Sequence, residues 1–232
     1  MKKLLYGLCL IIPGFTFAQS DSSGTIPVID AQKNSIEQAS NILNGRSHVA
    51  YPSQIEGSGY FNTDWVVGSV VYEDVLYTGV QLKYDQYKDE LILLHPNGLP
   101  IILFTPRVSA FTLLNRQFIN LNSGSTKTEG SEPGFYELLA RGNINLLAKR
   151  KKLLDELVQN TGVTKAFVGK SEFFAIKGGN FYKIKKESHL LDLVPEKKQG
   201  AKNLLRQNDI NYNNNPESAL LTIAQYYNQS SN

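Results

Sequence analysis

The chain has 232 residues, with 24 Lys or Arg against 21 Asp or Glu, and its 41% apolar content, twelve Tyr and eleven Phe are those of a globular protein. Its one cysteine, Cys9, falls inside the N-terminal apolar run, so once that run is removed no disulfide, thiolate nucleophile or Cys-ligated metal is available.

Residues 1–18 read as a secretory signal peptide. Lys2 and Lys3 supply the charged start, Leu4 to Phe17 the apolar run, and Thr16 and Ala18 the small side chains ahead of a cut before Gln19. The run is short for a membrane span, and Gly7, Pro13 and Gly14 interrupt it. Leu8 in front of Cys9 is too large for a lipoprotein site. Residues 19–33 follow as a polar tether, Asn34 to Leu43 as a short helix with Ile36, Ala39, Ile42 and Leu43 on one face, and the rest of 34–64 as an irregular lead-in.

From Trp65 to residue 187 the pattern is that of strands. Val66 to Tyr72 is apolar and β-branched, and Val80, Leu82 and Tyr84 alternate with Gln81, Lys83 and Asp85. Leu91 to Leu94 and Ile101 to Phe104 flank His95-Pro96-Asn97-Gly98, which suits a type I turn with a bulge. Further hairpins are expected at Asn115-Arg116, at Arg141-Gly142-Asn143 and at Lys177-Gly178-Gly179-Asn180, with a polar loop from Asn122 to Gly134. Residues 188–232 are helical: Ser188 offers a cap, Pro195 opens a segment with Ala201, Leu204 and Leu205 inward, and Asn215-Pro216-Glu217 is a strong helix start. The expected fold is α+β, a meandering, curved antiparallel sheet with an N-terminal helix and C-terminal helices packed on it.

The run Val75–Leu94, the hairpin Tyr136–Lys152 ending in Ala-Lys-Arg-Lys-Lys, and the C-terminal tail through Asn213-Asn214-Asn215-Pro216-Glu217 resemble exported proteins of uncharacterised function from the Bacteroidota. The resemblance spans about Gly68 to Asn228. It implies export and one continuous domain, and brings no catalytic residues with it.

Charge is unevenly divided. Residues 19–140 carry 7 basic and 13 acidic groups, and residues 141–232 carry 15 and 8. Either the halves complement each other on packing, or the basic half docks on an anionic surface component; the export signal argues against nucleic acid. Lys149, Arg150, Lys151 and Lys152 are the densest basic run, expected at a solvated strand end.

No H-E-x-x-H, G-x-S-x-G, P-loop or G-x-G-x-x-G pattern occurs, and His48, His95 and His189 are widely spaced, so neither a cofactor nor a metal is implied. Asp85, Asp89 and Glu90 form the most chemical-looking cluster, read as a solvated turn in preference to a hydrolase dyad. Trp65, Tyr72, Tyr77, Tyr84 and Tyr87 would make a flat recognition surface for glycan or peptide if they faced outward together. These features point to an exported periplasmic or outer-membrane-associated protein, a non-enzymatic binding or structural module whose partner is an envelope protein or an anionic surface component. A hydrolase assembled only in the fold is the alternative.

Overall fold

Alternating apolar side chains and closely spaced turn residues leave this chain one economical solution, a sheet built by successive hairpins. The computed structural model describes residues 42–121, 130–159 and 162–229, and within them eleven strands form one curved antiparallel sheet. The expected leader and tether, and the Asn34–Leu43 helix apart from Ile42 and Leu43, lie outside the described residues.

In chain order the strands are β1 (Arg46–Ser47), β2 (Val66–Tyr72), β3 (Val75–Asp85), β4 (Glu90–Leu94), β5 (Pro100–Ile102) and β6 (Val108–Leu113). They continue with β7 (Arg116–Asn120), β8 (Phe135–Ala140), β9 (Ile144–Gln159), β10 (Gly162–Lys177) and β11 (Asn180–Ile184). Across the sheet the order is β1-β5-β4-β3-β2-β6-β7-β8-β9-β10-β11, so most neighbours in space are neighbours in sequence.

The turns explain the meander. Gly98 N–H donates to the His95 carbonyl at 2.8 Å, and His95 Nδ1 accepts from Asn97 N–H at 3.1 Å. Gly178 and Gly179 both have positive φ (56° and 77°), the geometry a two-residue hairpin loop needs. The β6–β7 turn is centred on Leu114 and Asn115 (φ 49° and 61°), one residue earlier than expected.

The largest departure from expectation is the β9–β10 hairpin. Each strand runs for 16 residues, and the pairing is unbroken from Ile144↔Lys177 to Gln159↔Gly162. Only its base lies within the sheet, since β8 pairs as far as Ala148 and β11 as far as Phe173. The remainder is a two-stranded ribbon that folds back over the lead-in, with Glu56 bridging Ala166 and Lys152 N–H donating to the Gln86 carbonyl.

Three apolar clusters hold the sheet. The first gathers Tyr84, Phe111, Phe118 and Phe135, where Phe111 and Phe118 stack with centroids 4.7 Å apart and Tyr84 meets Phe135 edge-on. Such contacts add about 0.5–1.5 kcal/mol each beyond area burial. The second lies between β8–β11 and three helices, α1 (Glu187–Leu193), α2 (Lys198–Gln207) and α3 (Pro216–Gln229). The third, around Ile119, Tyr136, Leu147 and Phe174, occupies the other face of the sheet.

The amphipathic C-terminal stripe covers the sheet as expected: Leu220, Ile223 and Ala224 are fully buried against Ile144 and Leu146. Asn215 Oδ1 accepts from Ser218 N–H at 3.0 Å and caps α3. The Asn228 side chain closes the far end of α3 on both backbone groups of Ile144. Ser188 does not cap α1, which begins two residues earlier than that cap would place it, at Glu187, with Lys186 in the cap position. Among the described residues no helix is long and apolar enough to cross a membrane.

Candidate functional site

Asp85 sits on the face of β3 that alternation assigns to solvent, yet it is fully buried. The lead-in lies over it. Tyr51 donates its hydroxyl to Asp85 Oδ2 at 2.6 Å, while Oδ1 accepts the backbone N–H groups of Tyr87 and Lys88 at 3.0 Å each. The turn expected at residues 85–89 therefore forms, with the local hydrogen bonds expected of its acid; Asp85 is roofed, while Tyr87 and Lys88 stay exposed.

Around this carboxylate an aromatic surface is assembled. Tyr51 meets Tyr60, Tyr87 and Phe167 with ring centroids at 5.4, 5.8 and 4.9 Å. His48 and Tyr60 share a hydrogen bond of 2.8 Å. Lys83 Nζ lies 5.2 Å from the Tyr60 ring centroid and 4.8 Å from that of Trp65, linking the tryptophan to the tyrosines. Tyr51, Tyr60 and Trp65 are half-buried and Tyr87 is 41% exposed, so the group presents ring edges along one surface, while the Tyr51 hydroxyl is spent on Asp85, His48 Nε2 is engaged by Tyr60 and His48 Nδ1 is buried.

Its electrostatics favour neutral polar groups. Burial, reinforced by the hydrogen bond and charge of Asp85, pushes the Tyr51 phenol far above its ordinary range, and burial with the Asp85 charge raises Tyr60. Burial also lowers His48 and Lys83. The phenols stay protonated, and His48 is held toward its neutral form, able to donate or accept.

Comparison with family models, with curated proteins and with solved structures finds no match to this chain. The site is therefore read from its own geometry.

Of the five strand aromatics, the structure divides the set. Tyr72, Tyr77 and Tyr84 turn inward, at 1%, 4% and 1% exposure, and cannot contribute to a recognition surface. Trp65 and Tyr87 remain on the outer surface and are joined there by Tyr51, Tyr60 and His48. The sequence signal for the two tyrosines was an aromatic-rich stretch, 51–61, in a segment without a period of its own; His48 had none.

The basic run is corrected as well. Lys149 to Lys152 lie in the middle of β9, not at a solvated strand end. Lys149, 4% exposed, reaches Asp89 at 3.7 Å, donates to the Pro133 carbonyl and stands over the Tyr136 ring. Arg150 binds Glu137 and Glu217, each at 2.7 Å, and Lys151 binds Glu132 at 3.0 Å. Lys149 and Lys151, together with the Arg150–Glu137 pair, join the basic half of the chain to the acidic half, the complementary packing that the charge division allowed.

Asp89 has its own environment: it accepts from Tyr84 at 2.7 Å and from the Phe135 amide at 3.2 Å. Burial raises its pKa in spite of Tyr84 and Lys149. Glu90 pairs with Arg46, and His95 stays in its turn. Each acid of the 85–90 cluster thus has a different partner, although Glu90 Oε2 is buried without one, and among the described residues no group of three metal-ligating side chains converges.

Proposed function

We propose that this is an exported envelope protein that binds rather than catalyses, and that its ligand is a glycan lying across Tyr51, Tyr60, Trp65 and Tyr87. The leader at residues 1–18 and the resemblance to exported proteins support the compartment. The observation that carries the binding role is the organisation of that surface by Asp85. A buried carboxylate with its lone pairs committed to Tyr51 and to the turn amides acts as a fastener, and what it fastens is a set of rings with polar edges. Sugar rings offer C–H faces that stack on aromatic side chains and hydroxyls that pair with phenol groups. Pre-positioned rings lose little conformational entropy on binding.

Trp65 is the only tryptophan in the chain, so its fluorescence reports on this surface alone. Titration with solubilised peptidoglycan and with outer-membrane polysaccharide is expected to shift its emission saturably. Tyr87→Ala is expected to weaken that binding roughly three- to tenfold with little change in melting temperature. If neither glycan perturbs Trp65, the glycan reading is wrong.

A further inference from the structure

A chemically different site lies in the helical layer, away from the aromatic surface and independent of it. α1, α2 and the connection leading to α3 line an open cavity of about 580 Å3. Lys186, Lys198, Lys202 and Arg206 line it, together with a single carboxylate, Glu187. Asp192 pairs with Lys198 at 2.7 Å, and among the described residues no ion pair engages Lys186, Lys202 or Arg206. Four cations against Glu187 and Asp192 leave two positive charges uncompensated at one concavity.

Elsewhere in the basic half Lys149, Arg150, Lys151, Lys165, Lys170, Lys177 and Lys183 have carboxylate partners. Lys152, Lys185 and Lys197 have no ion pair among the described residues, but they do not line this cavity, so what sets it apart is the convergence of its cations on one concavity. Within α2 the arrangement opposes helix stability. Lys198, Lys202 and Arg206 follow one another at four-residue spacing, where like charges repel by about 0.2–0.5 kcal/mol per pair. The helix contains no acid to offset them, and Leu205, beside them on the helix, is buried in the core. A bound anion would supply the missing countercharge.

We infer that this cavity binds a phosphomonoester carried on an organic body. A phosphate monoester bears about −1.5 to −2 charges at neutral pH, which matches the net charge of two left at the cavity, and its oxygens suit charge-assisted bonds from ammonium and guanidinium groups. The volume is that of a small-molecule site and exceeds what a phosphate alone fills. Leu191, Leu205 and Ile210 supply an apolar wall for the rest of the ligand. A sugar phosphate and a phosphorylated lipid headgroup share this chemistry.

The test uses three probes on the full folded protein at low salt: inorganic phosphate, glucose 6-phosphate, and vesicles containing phosphatidic acid. Glucose 6-phosphate, followed by titration calorimetry, is expected to bind more tightly than inorganic phosphate. Lys202→Gln with Arg206→Gln is expected to weaken it at least about tenfold, the scale of losing a charged hydrogen bond. Lys185→Gln, an exposed lysine outside the cavity lining, is expected to leave it unchanged. Arg206 is exposed, so the single Arg206→Gln protein keeps the comparison open should the double variant melt early. Vesicle binding lost in the same variants assigns the site to a lipid headgroup; binding of the soluble ester alone assigns it to a sugar phosphate. Failure of all three probes, or binding that survives the double substitution, overturns the inference, and equal affinity for phosphate and its ester removes the organic body from it.

Discussion

The Tyr51 hydroxyl donates to Asp85 Oδ2 at 2.6 Å, tying the irregular lead-in to the β3–β4 turn across 34 residues of sequence. Asp85→Ala would leave that phenol and the amides of Tyr87 and Lys88 without their acceptor, at a cost of roughly 2–4 kcal/mol. Tyr51→Phe removes one bond and is expected to cost about 1 kcal/mol. Urea unfolding of the two variants should rank them in that order.

His48 gives the aromatic surface a pH dependence. Burial lowers its pKa from 6.5, with the nearby charges of Lys83 and Lys88 acting in the same direction and Asp85 opposing them. A base whose folded pKa is depressed binds fewer protons when folded, so stability rises with pH through that window. Stability is therefore expected to fall as pH drops below about 6.5 toward the folded value. His48→Gln should flatten that part of the stability profile, read from melting temperature against pH.

Glu137 is 5% exposed at its side chain, lies opposite Phe118 and Ala148 in the sheet, and is held by Arg116 at 3.1 Å and Arg150 at 2.7 Å. Glu137→Leu removes one of the two carboxylates on the half-buried guanidinium of Arg150, which keeps Glu217, and is expected to cost roughly 1–3 kcal/mol. Adding Arg150→Met should recover part of this loss, a coupling that a double-mutant cycle in denaturant measures directly.

For Asp89 the sign is the reverse of the usual carboxylate. Burial raises its pKa above 3.8, so the folded protein binds the proton more tightly and the group's contribution to stability declines as pH rises through the window from 3.8 to the folded value. Carbon-13 NMR of the side-chain carboxyl should give a midpoint above 3.8. Lys149→Met removes the charge that opposes this shift and should move the midpoint higher still. A midpoint at or below 3.8 in the natural protein would contradict the described environment.

Gly68 marks the β-bulge between β2 and β3, and a Cβ at this position would collide with the backbone carbonyl oxygen of Thr112 on β6. Gly68→Ala is expected to lose about 1–3 kcal/mol through this overpacking, visible as an earlier thermal transition.

Local rules account for much of the molecule. Strand β2, the turn at His95–Gly98, the Gly178-Gly179 hairpin and the Asn215 cap are each specified by residues within a few positions of one another, so each is legible in the sequence. The ribbon is not. Ala148 to Val158 is rich in Lys, Arg and Leu, residues with good helix propensity, and it carries little alternation to announce a strand. Its extended form depends on pairing with residues 162–173, which no window along the chain reveals.

The candidate surfaces divide in the same way. Sequence alone established the aromatic content of the 51–87 stretch, the turn chemistry of Asp85 and the excess of positive charge after residue 140, because composition and short-range hydrogen bonding are local properties. Only the tertiary structure decided which tyrosines face inward, which lysines find carboxylates, and that Asp85 lies beneath Tyr51. Burial and charge pairing arise between segments distant in sequence, and the free energy of a polar side chain is set by what packs against it rather than by its neighbours in the chain.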